Sequence, residues 1–125
     1  MRFLPFILGI LCLPVFAQEK TGAEVYESTC SECHGSGKFN APKFGDLKRW
    51  NKLVLEGLDD LVPAALGGIR KMPSKGGNPA LSDREVALAV VHMANAGGGK
   101  FAEPTPADVS RWRQKVDARK KRSHG

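Results

Sequence analysis

Cys30-Ser31-Glu32-Cys33-His34 decides how this 125-residue chain is read, because two thiols stand three positions apart with an imidazole directly behind them. This is the spacing of covalent haem attachment, in which each cysteine sulfur adds across one vinyl group and a histidine nitrogen ligates the iron. Residues three and four apart share one face of a helix, so a helical segment here points Cys30, Cys33 and His34 the same way. Other readings compete for the same residues. A dithiol oxidoreductase needs Cys30 and Cys33 without His34, and a sheet-bearing domain that this sequence does not suggest. A structural zinc site needs four ligands, and no second cysteine pair is at hand. A histidine on a helix is ordinarily structural, but its place directly after Cys33 reverses that reading.

Upstream, Thr21-Gly22-Ala23-Glu24 has the form of a capping box and predicts a helix from Gly22 to about His34, with Gly35 as its stop. Residues 36–45, holding Gly37, Asn40 and Pro42, read as loop. Helices follow from about Leu47 to Leu55, ended by Gly57, and from about Asp60 to Leu66, ended by Gly67 and Gly68. Pro63 falls in the first turn of the latter, where a missing N–H costs no internal bond. Residues 70–81 are irregular, with Pro73, Gly76, Gly77 and Pro79 in close order. Ser82-Asp83-Arg84-Glu85 repeats the capping box and opens a helix to about Asn95, on which Val86, Val90 and Met93 lie at core spacing. Gly97-Gly98-Gly99 reads as a hinge. No stretch reads as a strand or a repeat, so the fold class is all-α.

The length allows one small domain. At its start Arg2 precedes an apolar run from Phe3 to Val15, broken by Pro5, Gly9 and Pro14, and Val15-Phe16-Ala17 suits signal-peptide cleavage after Ala17. The run is shorter than the roughly 18 apolar residues of a membrane span, so a removed signal over residues 1–17 is preferred to an anchor. Cys12 lies inside that signal, and Gly9-Ile10-Leu11 lacks the small residue expected just before a lipidated cysteine. Export then leaves only Cys30 and Cys33, with no disulfide framework, in an oxidising space such as a bacterial periplasm. Thioether bonds to haem c withdraw both thiols from that chemistry.

A second axial ligand has to come from Met72 or Met93. Met93 is at core spacing. Met72 precedes Pro73, which favours extended backbone, and the glycines beyond let the loop curl. Met72 is therefore the candidate ligand opposite His34, against the plainer reading of a loop methionine covering the core. Histidine and methionine together raise the reduction potential relative to two histidines and leave no open coordination position. That combination argues for electron transfer and against an enzyme.

With Ala41-Pro42-Lys43-Phe44-Gly45-Asp46, Trp50, Met72-Pro73-Ser74-Lys75-Gly76-Gly77-Asn78 and Leu81-Ser82-Asp83 added to the first motif, residues 21–96 resemble the class I cytochromes c, especially the bacterial c-five-type group. The resemblance implies four or so helices around one covalent haem. It further implies that the Pro42 carbonyl meets the other ring nitrogen of His34, with a plain loop proline nearly as good a reading. Trp50 would pack by the haem, giving its N–H to a propionate or serving only as core. Gly22 and Tyr26 would meet the last domain helix near Val90 and Met93. His92 stands where the family more often shows tyrosine and reads as structural rather than as a ligand. The family's frequent extra cysteine pair is absent.

The chain carries a net charge of +6, unevenly placed: residues 18–99 hold ten basic against ten acidic side chains, residues 100–125 eight against three. The domain is thus read as 18–99, with a basic extension over 100–125. Thr105-Pro106-Ala107-Asp108 suggests a helix start there, with Val109, Trp112 and Val116 on one face and cations around the rest. This extension is either solvated and partly disordered, or docks on the acidic face of a redox partner or on anionic lipid, with Trp112 as anchor. Export makes nucleic acid an unsuitable partner.

The sequence is therefore read as an exported, periplasmic one-electron carrier between redox proteins, with Cys30 and Cys33 attaching haem c and His34 and Met72 ligating its iron. Lys38, Lys43, Arg70, Lys71 and Lys75 form a candidate positive rim for docking. Two alternatives stay open: a haem subunit fixed in a larger oxidoreductase, and a haem enzyme or gas sensor from which Met72 can leave.

Overall fold

A computed structural model describes residues 2–13 and 18–125; the expected cleavage site at Ala17 lies outside them. The described residues are helical, apart from loops and one isolated backbone bridge between Ile69 and Met72.

The first helical run covers the span the sequence predicts, but in three pieces: α1 (Gly22–Val25), a π-helical turn (Tyr26–Cys30) and α2 (Ser31–His34). Thr21 caps α1 by accepting the Glu24 N–H at 3.1 Å, and its hydroxyl donates to the Glu24 carboxylate. In the π turn the Ser31 N–H reaches back to the Tyr26 carbonyl, and the hydroxyls of Ser28 and Ser31 donate to the carbonyls of Val25 and Glu27. Hydroxyls that compete for main-chain carbonyls loosen an α-helix in this way. Gly35 stays right-handed, and the left-handed residue ending the run is Gly37, at φ 81°.

Asp46 caps α3 (Leu47–Glu56), and Gly57 at φ 82° both ends α3 and opens α4 (Leu58–Gly67). Because α4 starts earlier than the sequence suggests, Pro63 is interior to it and buried rather than in its first turn. The predicted capping box of Ser82 and Glu85 is closed reciprocally at 3.0 and 2.9 Å and starts α5 (Asp83–Ala96). Val86, Val90 and Met93 are buried along it, as their spacing predicts.

The glycines after α5 pack closely instead of forming a hinge. A Cβ on Gly97 would lie 2.3 Å from that of Trp50, and Asn95 closes the turn by exchanging two hydrogen bonds with the main chain of Phe101. Beyond it, α6 (Pro106–Ser123) starts with a second reciprocal box, from Thr105 and Asp108. The predicted face is right, but it is spent internally: Trp112 and Val116 are 2% and 3% exposed, in the same core as α4 and α5. A disordered tail is thereby corrected, and so is Trp112 as an external anchor.

Two apolar clusters make the core. Val25, Leu66, Ala87, Val90 and Trp112 belong to one, and Tyr26, Trp50, Met93 and Ala94 form the other. Cys30 and Leu61 touch both. The helices α1 and α5 cross so tightly that a Cβ on Gly22 would stand 2.3 Å from the Leu88 carbonyl oxygen and 3.2 Å from the His92 Cβ. That crossing falls at Leu88 and His92, on either side of the expected Val90, and Tyr26 and Met93 share one apolar cluster.

Candidate haem site

His34 ends α2 with its Nδ1 2.8 Å from the Pro42 carbonyl. A carbonyl only accepts, so Nδ1 carries a proton, and in the neutral ring the lone pair is then on Nε2. The Phe44 N–H also donates to the His34 carbonyl, closing residues 35–43 into a fixed loop. Trp50 lies tilted beside the His34 ring, with ring centroids 6.5 Å apart. Its indole N–H donates to the Lys43 carbonyl at 2.9 Å.

Met72 sits at the close of a tight turn, bonded to Ile69 in both directions through the main chain, with Arg70 left-handed at φ 50°. Its side chain is half-buried against the first core cluster. The loop beyond is tied at several points: the Ser74 hydroxyl donates to the Leu66 carbonyl, Asn78 to the Thr29 hydroxyl, and Lys75 to the Leu81 carbonyl. Thr29 directly precedes Cys30, so the methionine loop closes over the π turn.

Cys30 and Met72 line one narrow apolar cleft, shared with Ala65, Gly76, Val90 and Met93. Met93 is 3% exposed and belongs to the core, as its spacing predicts, although it also reaches this cleft. Burial there pushes the Cys30 thiol up to about 11. A redox-active dithiol needs the opposite shift, which weighs against an oxidoreductase. Both Cys30 and Cys33 are free thiols. Among the described residues no three of His, Cys, Asp and Glu gather as a metal site.

His92 packs in tilted contacts with Tyr26 and Phe44, with ring centroids 5.8 and 5.2 Å apart. Of the five cations expected on a rim, Lys38 and Lys71 flank the ring of Phe39, their ammonium groups 5.2 and 5.6 Å from its centroid. Phe39 is 60% exposed and left-handed at φ 56°. Lys75 leaves the rim, because it turns inward to Leu81 and Asp83.

Comparison with known proteins decides the family. Residues 17–93 match the family model described as "Cytochrome C oxidase, cbb3-type, subunit III". The chain belongs to the cytochrome c family. Cytochrome c-555 of Prosthecochloris aestuarii is 37% identical over 82 residues, covering 59% of this chain and 83% of that protein. Cytochrome c5 of Azotobacter vinelandii is 38% identical over 77 residues, covering 60% and 93%. A chain from the crystal structure of an electron transfer complex of nitrite reductase with cytochrome c superposes with a TM-score of 0.59 at 37% identity, covering 64% of this chain and 99% of that one. This cytochrome is thus of the class I, c5-type group, an all-α fold whose cofactor is one covalently attached haem c.

The residues present suit that cofactor. Cys30 and Met72 line a largely apolar cleft, whereas Cys33, a second free thiol, and His34, whose Nδ1 is bonded to Pro42, lie in α2 outside its lining. The sequence missed the contacts between α6 and the rest of this cytochrome. Arg113 grips Asp83 with two bonds of 2.8 and 2.7 Å, and no local signal links residues thirty positions apart.

Proposed function

We propose that this cytochrome is an exported carrier of single electrons between redox proteins, attached to its haem through Cys30 and Cys33, with His34 and Met72 as axial ligands. The observation that carries the reading is that the thiol of Cys30 and the thioether of Met72 line one apolar cleft. Held by these residues, a haem would supply one iron able to alternate between ferric and ferrous states. Pro42 holds the imidazole in a single tautomer and orientation, so His34 presents Nε2. The tethered loop presents the Met72 sulfur, and a thioether favours the ferrous state. Ligation by both His34 and Met72 would leave no position for an exchangeable substrate, which favours carriage over enzymatic turnover.

The test is the spectrum of haem-loaded Met72→Ala. Loss of the near-infrared band of a ferric iron–methionine bond, with new binding of carbon monoxide by the ferrous form, is expected. A band that survives would falsify the ligand assignment. Attachment is tested by acid–acetone extraction, which should leave the colour with the polypeptide.

Export through a signal over residues 1–17 is checked by the N-terminal sequence of mature protein, expected to start at Gln18. Redox proteins with an acidic face are the proposed partners, in line with the related chain in the nitrite reductase complex. Exposed cations support this: Lys38 and Lys71 around Phe39, and residues 119–122 at the end of α6. An anionic membrane surface is less well supported, since the apolar face of α6 is turned inward. The matched family description names an oxidase subunit, which favours a fixed subunit as the second reading. Size-exclusion of native extracts separates the two, because a carrier elutes as a small free protein.

A further inference from the structure

The matched family model stops at residue 93, before α6 begins, yet α6 reaches the loop that carries Met72. We propose that Arg113 is a positioning residue for Met72, bracing the methionine loop through Asp83 and Lys75. The proposal rests on Met72 being an axial ligand.

The loop needs a brace. Arg70 and Lys75 are both left-handed, at φ 50° and 55°, a conformation that crowds the Cβ of any residue other than glycine. Lys75 is held there by its side chain, which runs inward to the Leu81 carbonyl at 2.6 Å and to Asp83 Oδ1 at 3.5 Å. Asp83 is the first residue of α5, and the same Oδ1 accepts from Arg113 at 2.7 Å while Oδ2 accepts from its Nε at 2.8 Å. The two-pronged grip fixes the carboxylate in the position where Lys75 meets it. Without Arg113 the carboxylate is free to turn to water, and Lys75 loses its counter-charge.

The platform behind Arg113 is firm. Trp112, next to it, is buried, and Val116 one turn on lies against Gly67, where an added Cβ would stand 3.1 Å from it. That contact sits beside Leu66, whose carbonyl takes the Ser74 hydroxyl. So α6 reaches the methionine loop from two sides, through α5 and through the end of α4.

The test is displacement of Met72 by added imidazole in the ferric, haem-loaded protein, read as loss of the near-infrared band. One iron–sulfur bond is exchanged for one iron–nitrogen bond, with no change of oxidation state. Arg113→Gln and Asp83→Asn should each lower the half-displacing imidazole concentration about tenfold, the double variant no further than either, and Arg113→Lys should recover part of the loss. Arg111→Gln removes an α6 ion pair to Asp59, away from the loop, and should leave displacement unchanged. Should Arg113→Gln not fold, Asp83→Asn deletes the same pair from the other helix and decides alone. An equal effect from Arg111→Gln, or none from Asp83→Asn, overturns the brace while leaving Met72 as ligand. A band that survives Met72→Ala overturns both.

Discussion

Lys115 donates its ammonium to the main-chain carbonyl of Asp59 at 2.7 Å. This is the carbonyl that the N–H of residue 63 would satisfy in a regular helix, and residue 63 is proline. A buried proline inside α4 is therefore matched by a lysine from α6, which also reaches the Asp60 carboxylate at 3.2 Å. Replacing Lys115 with methionine should cost about 1 kcal/mol in denaturant unfolding of the haem-loaded protein. In a Pro63→Ala background the new N–H reclaims the carbonyl, and the same replacement should cost clearly less. Equal losses in both backgrounds would mean that the lysine acts only through Asp60.

Trp112 fills the space between α6 and α4, and its indole N–H donates to Asp59 Oδ1 at 2.7 Å. Trp112→Ala should lower stability by about 3–5 kcal/mol, as other large-to-small core replacements do. Trp112→Phe keeps most of the packing and loses the hydrogen bond, for about 1 kcal/mol. Thermal unfolding resolves the two. Were Trp112 a docking anchor instead, neither change would move the midpoint.

Asp83 gives a pH dependence. Its hydrogen bonds from Arg113, with the charges of Arg113 and Lys75, hold its carboxyl below the usual range against an opposing effect of burial. A carboxyl depressed in the folded state stabilises above its unfolded value, and that contribution fades as pH falls through the folded one. The stability advantage of the natural chain over Asp83→Asn should therefore be level from neutrality down to about pH 4 and shrink below it. Denaturant midpoints across that range measure it, and an advantage that grew on acidification would contradict the pairing.

Gly22 allows α1 to rest on the Leu88 carbonyl. Because the obstacle is main chain, a methyl group there cannot be absorbed by a rotamer change. Gly22→Ala should cost about 1–3 kcal/mol even though alanine is the better helix former. A neutral or stabilising result would show that the crossing opens freely.

Docking through charge should show in the salt dependence of electron transfer. Replacing the cations of residues 119–122 with glutamine should slow association with an acidic partner at low salt and converge on the natural rate at high salt, where screening lengths fall below about 8 Å. Stopped-flow rates across ionic strength are the measurement. A constant ratio at all salt concentrations would assign those cations to the end of α6, where positive charge is favourable in any case.

Much of this structure was legible because its signals are local. The caps at Thr21, Ser82 and Thr105 each need only four consecutive residues, and the apolar faces of α5 and α6 need only helical spacing. The misreadings share a cause. Gly57 serves two helices at once, so α4 starts two residues early and Pro63 becomes interior; Gly97 turns on close contact with Trp50, not on freedom. The π turn was illegible, since it depends on which carbonyls the serine hydroxyls take.

By itself the sequence determined the all-α class and the haem c cofactor, and it named the candidate site residues, because thiol spacing, an adjacent imidazole and capping residues act over one or two turns. The tertiary structure alone decided that Trp112 and Val116 of the basic tail are part of the core and that Arg113, Asp83 and Lys75 run from that tail to the methionine loop. Such contacts join residues far apart in the chain, and which charges meet depends on how helices cross. No short-range pattern records that.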